Sequence, residues 1–282
     1  MNLYDQLLAL QEIPNAYALW EAYRQSLTDY IIRQLDEPRE VLILGIGRGN
    51  DLQLNRIIPY VKSLTLWDKE KQAINTALIR YGLEAHPKVK CIEKDLLGLS
   101  AQDYRQYADE LVQFIRLRGM QTDMEALKNV GLKAVKRLTE KIKIMPMGEN
   151  TYDTVIMIGM HSQLLSMVDW IWQIILQTIQ KQEMAVSAHI MQMNAQIIPQ
   201  IHQVLLRATR KQLITGCEVE RLERVGTIQG ALQGLEDLQR LRIAGCLQKK
   251  SEVQLIWPFH AAQNVSYKMS IQCDEKVAIN II

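Results

Sequence analysis

Little in this chain points outward to a membrane, a metal or a highly charged partner. It has no run of about twenty apolar residues, the length that a bilayer-spanning helix needs, so no membrane span is expected. The stretch MNLYDQLLALQEIP carries Asp5 and lacks a basic start followed by an apolar block, so it is not expected to act as a signal peptide. The four cysteines, Cys91, Cys217, Cys246 and Cys273, lie far apart and form no CxxC pair. That argues against a zinc site or a disulfide framework and for reduced thiols in a cytoplasmic protein. The formal charges nearly cancel, at +2, so no overall field favours nucleic acid or an acidic partner. Internal repeats and low-complexity linkers are missing as well.

What the chain does have is apolar content. Hydrophobic residues make up 48% of 282 positions, enough for one large domain or a domain with an appendage. Residues 3 to 35 carry helical spacing, broken near Pro14, and are expected to form an N-terminal helical cap over 1–38. Val41-Leu42-Ile43-Leu44 has no polar alternation, which suits a strand buried on both faces of a parallel sheet. A helix from about Asp51 to Tyr60, the strand Ser63–Trp67 ending at Asp68, a helix from about Glu70 to Tyr81, and the strand Lys88–Ile92 ending near Asp95 follow. This alternation predicts a doubly wound α/β sheet. Residues 100–145 interrupt it with helical pattern alone and are expected to form an insertion within a domain spanning 39–282. The alternation then resumes with strand Tyr152–Ile158, a helix from about Leu164 to Gln180, helix around Pro199, strand Leu213–Val219, and a helix from about Leu232 to Ala244. Two final strands, Val253–Trp257 and Val265–Ile271, have no helix between them, which implies an antiparallel pair at the sheet edge.

The chemistry concentrates in VLILGIGRGNDL, residues 41–52, where a buried strand runs into three alternate glycines. A glycine loop between strand and helix lets backbone approach a ligand closely, at the carboxyl end of the strands where open α/β sheets bind ligands. The dinucleotide fingerprint is GxGxxG. This chain reads Gly45-Ile46-Gly47-Arg48-Gly49, with Asn50 after it. Asp68 ends the second strand, 23 positions after Gly45. The shorter glycine spacing, Asp68, Asp95 after the third strand, and Tyr152–Ile156 with Gly159-Met160-His161 behind it resemble class I S-adenosylmethionine-dependent methyltransferases.

That resemblance implies a Rossmann-like sheet, mostly parallel with an antiparallel final strand, and S-adenosylmethionine as cofactor. It implies that Asp68 holds the two ribose hydroxyls, a task suited to a carboxylate accepting two hydrogen bonds, and that Asp95 accepts from the adenine amino group. It places Gly45, Ile46, Gly47, Gly49, Asp51, Lys69, Leu96, Gly159 and Met160 around the same ligand. One departure is Ile43, where the family often has an acid two positions before the first glycine. The aminopropyltransferases share the fold and the aliphatic residue, but Ile158–Gln163 lacks their catalytic acid.

His161 is the best-placed candidate base, since histidine can take a proton near neutral pH. His260, in Trp257-Pro258-Phe259-His260, falls where a turn between the last strands is expected. No [DN]PP[YF], no Pro-Cys nucleophile and no magnesium-type acid cluster is present. A small-molecule O or N nucleophile therefore remains as the acceptor by elimination. An RNA methyltransferase and a non-catalytic nucleotide-binding module remain as alternatives. Lys128, Lys133, Lys136, Arg137, Lys141 and Lys143 on an apolar-striped helix would serve RNA phosphates, although the preferred role of residues 100–145 is a lid over the cofactor. No metal is expected, and the oligomeric state is left open.

Overall fold

A computed structural model describes residues 2–223 and 229–277. The extreme ends of the two expected units, Met1 and residues 278–282, lie outside them. The core is a seven-stranded sheet built from β1 (Arg39–Leu44), β2 (Val61–Asp68), β3 (Val89–Glu93), β4 (Tyr152–Ile158), β5 (Thr209–Arg221), β6 (Leu247–His260) and β7 (Val265–Lys276), in the spatial order β3-β2-β1-β4-β5-β7-β6. β1 to β5 are parallel, and β7 inserts antiparallel between β5 and β6. The expected fold class is the one observed.

Chemistry along β1 explains its central place. Val41 and Ile43 point into one apolar cluster, Leu42 and Leu44 into another on the opposite face, and all four are essentially buried. A strand that is apolar at every position can only sit where helices cover both faces. The first cluster takes α2 (Ala16–Leu19), α3 (Glu21–Gln34), α4 (Leu54–Ile57) and α5 (Lys71–Tyr81). The second takes α1 (Leu3–Leu10), α6 (Ala101–Arg118), α7 (Met124–Thr139), α8 (Ser166–Thr178) and α9 (Ala185–Ala208), with Leu238 of α10 (Gln229–Ile243). Among the described residues, no helix is long and apolar enough to cross a membrane.

Several local expectations need revision. The helix expected from Asp51 to Tyr60 is a single turn, α4, followed by a 3-10 turn at Ile58–Tyr60. Trp257 to His260 is not a turn but the end of β6, with a register shift; the reversal falls at Ala261–Gln263. The helices of 100–145 do form, and their caps are legible: Ser100 and Asp103 make a capping box, and Asp123 accepts from the amides of Glu125 and Ala126.

These helices do not form a lid. The stripe Leu127, Ala134, Val135 and Leu138 is fully buried in the main core. A Cβ on Gly131 would stand 2.9 Å from the Trp172 ring and 3.0 Å from Val186, so α7 is packed hard against α8 and α9. An apolar stripe buried at zero to three per cent exposure is part of the fold's stability and cannot lift away without exposing it. The basic face is also partly neutralised: Lys128 pairs with Glu125, Arg137 with Glu110, and Lys141 with Asp103.

Candidate functional site

The carboxyl ends of β1, β2, β4 and β5 open into one cleft of about 1020 Å³. Small-molecule pockets run to roughly 300–1,000 Å³, so this one has room for a nucleotide-sized ligand and a second molecule. The glycine loop forms its floor. Gly45, Gly47 and Gly49 all adopt positive φ, but for different reasons. At Gly45 a Cβ would stand 2.5 Å from Met160 Sδ, so the loop after β1 and the loop after β4 meet in van der Waals contact only because no side chain intervenes. Gly49 faces away from the cleft: a Cβ there would meet Ala77 at 2.9 Å and the Tyr81 ring at 3.0 Å, and the Tyr81 hydroxyl donates to the Gly49 carbonyl at 2.7 Å. Gly49 therefore docks the loop on α5 and does not line the site, which corrects the expectation of ligand contact.

Asp68, at the tip of β2, is tied to this loop. Its Oδ2 accepts from the Gly47 amide at 2.8 Å and its Oδ1 from the Glu70 amide at 3.0 Å. Each carboxylate oxygen retains acceptor capacity, and the group lines the cleft. Asp95 stands beyond β3 with its Oδ1 accepting from the Leu97 amide at 2.7 Å; burial pushes its carboxyl up from the ordinary range, against that hydrogen bond. Ile46, Asp51, Lys69, Leu96, Gly159 and Met160 also line the cleft. The sequence-expected set is thus brought together, apart from Gly49 and His161. Because α4 is one turn long and begins only at Leu54, no helix opens directly behind the glycines. The extended helix N-terminus that cradles a dinucleotide pyrophosphate is therefore missing here.

His161 is elsewhere. It is 1% exposed and lies outside the cleft lining. Its Nε2 meets His202 Nε2 at 2.8 Å, its Nδ1 meets Cys217 Sγ at 3.3 Å, and His202 Nδ1 meets Asp237 at 2.7 Å. Burial, then the neighbouring His202, holds its pKa well below the usual imidazole range. A ring sealed between α9, α10 and β5 cannot reach a substrate, so the expected catalytic role gives way to a structural one. His260, by contrast, does line the cleft.

Two features escaped the sequence reading. The first is the roof. Residues 8–13 and 15–17, with Trp20, line the cleft from above. The roof is pinned by an Arg48–Glu12 ion pair at 3.2 Å and by Tyr17, whose ring lies 3.8 Å from the Arg24 guanidinium and 4.2 Å from that of Arg80. The covering role assigned to 100–145 belongs to this N-terminal segment; α6 contributes only Tyr104. The second is Glu218, on β5. It is 2% exposed, lines the cleft, and receives the Ser162 hydroxyl on Oε1 at 2.9 Å, while Oε2 is left without a hydrogen bond of normal geometry. Asp51 Oδ1 is similarly unpartnered. Burial pushes both carboxyls up, Asp51 to about 7 against the pull of Arg24. Among the described residues, no group of side chains is arranged to hold a metal ion.

No family model matches the chain, and no curated protein matches it. Solved structures do. The N-methyltransferase NodS of Bradyrhizobium japonicum in complex with S-adenosyl-L-homocysteine aligns at 12% identity over 98% of this chain and 99% of that one, with a TM-score of 0.49. Magnesium protoporphyrin IX methyltransferase of Synechocystis with bound S-adenosylhomocysteine aligns at 10% identity over 90% and 81%, TM-score 0.46. A ribosomal protein L11 methylase of Lactobacillus delbrueckii aligns at 11% identity over 90% and 79%, TM-score 0.41. At such identities and scores these pairings carry no statement about what this chain binds.

Proposed function

We propose that this protein is an S-adenosylmethionine-dependent methyltransferase acting on a small-molecule O or N nucleophile. The observation that carries the reading is the coupling of the GxGxG loop to Asp68. The acid at the end of β2 braces the Gly47 amide, and a Cβ on Gly47 would meet nothing within 4 Å. Backbone and carboxylate are thereby presented together to the cleft. The residues fit the cofactor on chemical grounds. Asp68 offers a two-oxygen acceptor to a ribose diol, Asp95 an acceptor to an exocyclic amine, Ile46 and Leu96 apolar faces to a purine, and Gly45, Gly159 and Met160 the junction between the two loops. Asp51 and Lys69 complete the wall.

When bound, S-adenosylmethionine supplies an electrophilic methyl group on a sulfonium. The chain's part is to orient it against an acceptor and to keep water out, which the roof of residues 8–17 serves. The volume supports a second molecule in the cleft. Calorimetry tests the reading: S-adenosylmethionine and S-adenosylhomocysteine should bind and NAD should not. Preference for NAD, or no binding of either thioether or sulfonium, rejects it. RNA is a less suitable acceptor, since the basic face of α7 is partly paired with Glu110 and Glu125 and none of its residues lines the cleft.

A further inference from the structure

Resting on that reading, we infer that the acceptor is an organic amine that arrives as an ammonium cation, held between the Glu218 and Asp51 carboxylates and an aromatic wall centred on Trp257. The wall is continuous. Trp257 packs edge-on against Trp20 with centroids 5.0 Å apart and against Phe259 at 4.8 Å, and Tyr267 stands 5.5 Å from Phe259. All four rings line the cleft. The acid and the wall converge on one place: from the Cβ position of Gly159, Glu218 Oε1 and the Trp257 ring are each 3.6 Å away. Gly159 follows the last residue of β4 and precedes Met160, which touches Gly45, so this corner adjoins the expected cofactor loop and shares Asp51 with it.

A buried carboxylate oxygen with no partner is costly, and native proteins rarely leave one without a reason. Asp51 Oδ1 and Glu218 Oε2 have no hydrogen bond of normal geometry, though the Gln163 side chain lies close enough to the Glu218 carboxylate to pull its pKa down against burial. The nearby guanidiniums are directed to other partners, each with its Nε left without a hydrogen bond. Arg24 donates to the carbonyls of Tyr17 and Asn50, and Arg221 pairs with Glu223 at 3.5 Å. Among the described residues neither guanidinium makes a hydrogen bond or ion pair with Glu218 or Asp51, although the charge of Arg24 acts on Asp51, so a ligand carrying a positive N–H group can satisfy the two free oxygens. Aromatic rings attract such cations further; a neutral alcohol could donate one hydrogen bond to a carboxylate, as Ser162 does, but would gain neither the charge attraction nor the ring attraction. Burial raises both carboxyls, and a cation held between them would oppose that shift by favouring their ionised forms.

The same acid explains how the amine becomes a nucleophile. Glu218 takes one ammonium proton, which leaves a nitrogen lone pair. That pair forms the N–C bond as the C–S bond of the sulfonium breaks and its electrons stay on sulfur. Burial raises the Glu218 carboxyl above its ordinary range, and a carboxylate so raised is a better proton acceptor than an exposed one.

The test uses the full chain and two probes of nearly equal shape, benzylamine and benzyl alcohol, titrated with and without S-adenosylhomocysteine and followed by calorimetry and tryptophan fluorescence. Benzylamine should bind at least tenfold more tightly than the alcohol. Glu218→Gln should abolish that preference while leaving the S-adenosylhomocysteine affinity unchanged and the melting temperature at or above wild type. Equal binding of amine and alcohol, or binding of neither, overturns the inference even if the thioether binds normally. A Glu218→Gln variant that loses thioether affinity as strongly as amine affinity also overturns it, because the acid then serves the cofactor's own ammonium. If the thioether does not bind at all, the proposed function fails, and the titration without it still decides whether this corner selects amines.

Discussion

Asp51→Asn should stabilise this protein, and more so as the pH rises. Asp51 follows the glycine loop, has an unpartnered Oδ1, and has its carboxyl pushed up from 3.8 to about 7, first by burial and then by the charge of Glu218, against the attraction of Arg24. The folded pKa is raised above the unfolded one. The native state therefore holds more protons than the unfolded chain between about pH 4 and pH 7, and stability falls as pH rises through that window. At about 1.4 kcal/mol per pKa unit, the full shift costs roughly 4 kcal/mol at pH 8. Asp51 keeps part of its surface on the cleft, where water screens the charge, so about half of that, ~2 kcal/mol, is the expected gain from replacing it with a neutral amide of the same shape. At roughly 2–4 °C per kcal/mol for a chain of this order of size, the melting temperature should rise by about 4–8 °C at pH 8.

The informative quantity is the difference between variant and wild type, because other groups titrate equally in both. Thermal unfolding by circular dichroism at pH 5, 6, 7 and 8 should show that difference growing with pH. A constant difference would refute the reasoning, and so would an Asn variant less stable than wild type at pH 8. Either result would mean that the carboxylate is solvated, or paired, in a way the geometry does not show.

Other perturbations separate ligand from scaffold. Asp68→Ala removes a charged acceptor worth roughly 1.5–3 kcal/mol per hydrogen bond, and should weaken S-adenosylhomocysteine about ten- to a hundredfold in calorimetry. Asp68→Asn should recover part of the loss, because one oxygen can still accept from the Gly47 amide. Gly45→Ala drives a Cβ into Met160 Sδ and keeps φ at +67°, so both melting temperature and thioether affinity should fall; adding Met160→Ala should relieve the clash but not the backbone cost of about 1–2 kcal/mol. His202→Ala removes the buried partner shared by His161 and Asp237, while Asp237 keeps its ion pair with Arg240, and should cost about 1–3 kcal/mol in chemical unfolding with the thioether affinity unchanged.

The fold was legible because its local signals agree with one another. A strand with no polar position, Val41–Leu44, can only be central, and alternating strand and helix can only wind in one hand. The adjacency of β6 and β7 without a helix gave their antiparallel pairing directly. The misjudged element was the insertion, and the reason is physical. An apolar stripe needs cover, but periodicity does not say what covers it. Leu127 and Val135 were as compatible with a pocket rim as with the face of α8 and α9 that they pack against. The roof went unrecognised for the complementary reason. Leu8 to Tyr17 is a mixed stretch broken by Pro14, and its position over the cleft is fixed by Arg48, Arg24 and Arg80, each from another part of the chain.

The same distinction runs through the site. Gly45, Gly47, Asp68 and Asp95 were readable because each sits at a strand end whose position follows from topology. His161 also sits at a strand end, yet its ring turns inward, drawn by His202 at 2.8 Å from 41 positions further along the chain. No local pattern could carry that. Glu218 did leave a signal. It is a charged residue inside the apolar run Leu213–Val219, near the carboxyl end of a parallel strand, where a buried acid contradicts every local preference. Sequences that break a packing rule at the ligand end of a sheet do so at functional positions more often than elsewhere. Glu218, with no apolar substitute's stability and no paired cation, is better explained by what it recognises than by what it holds together.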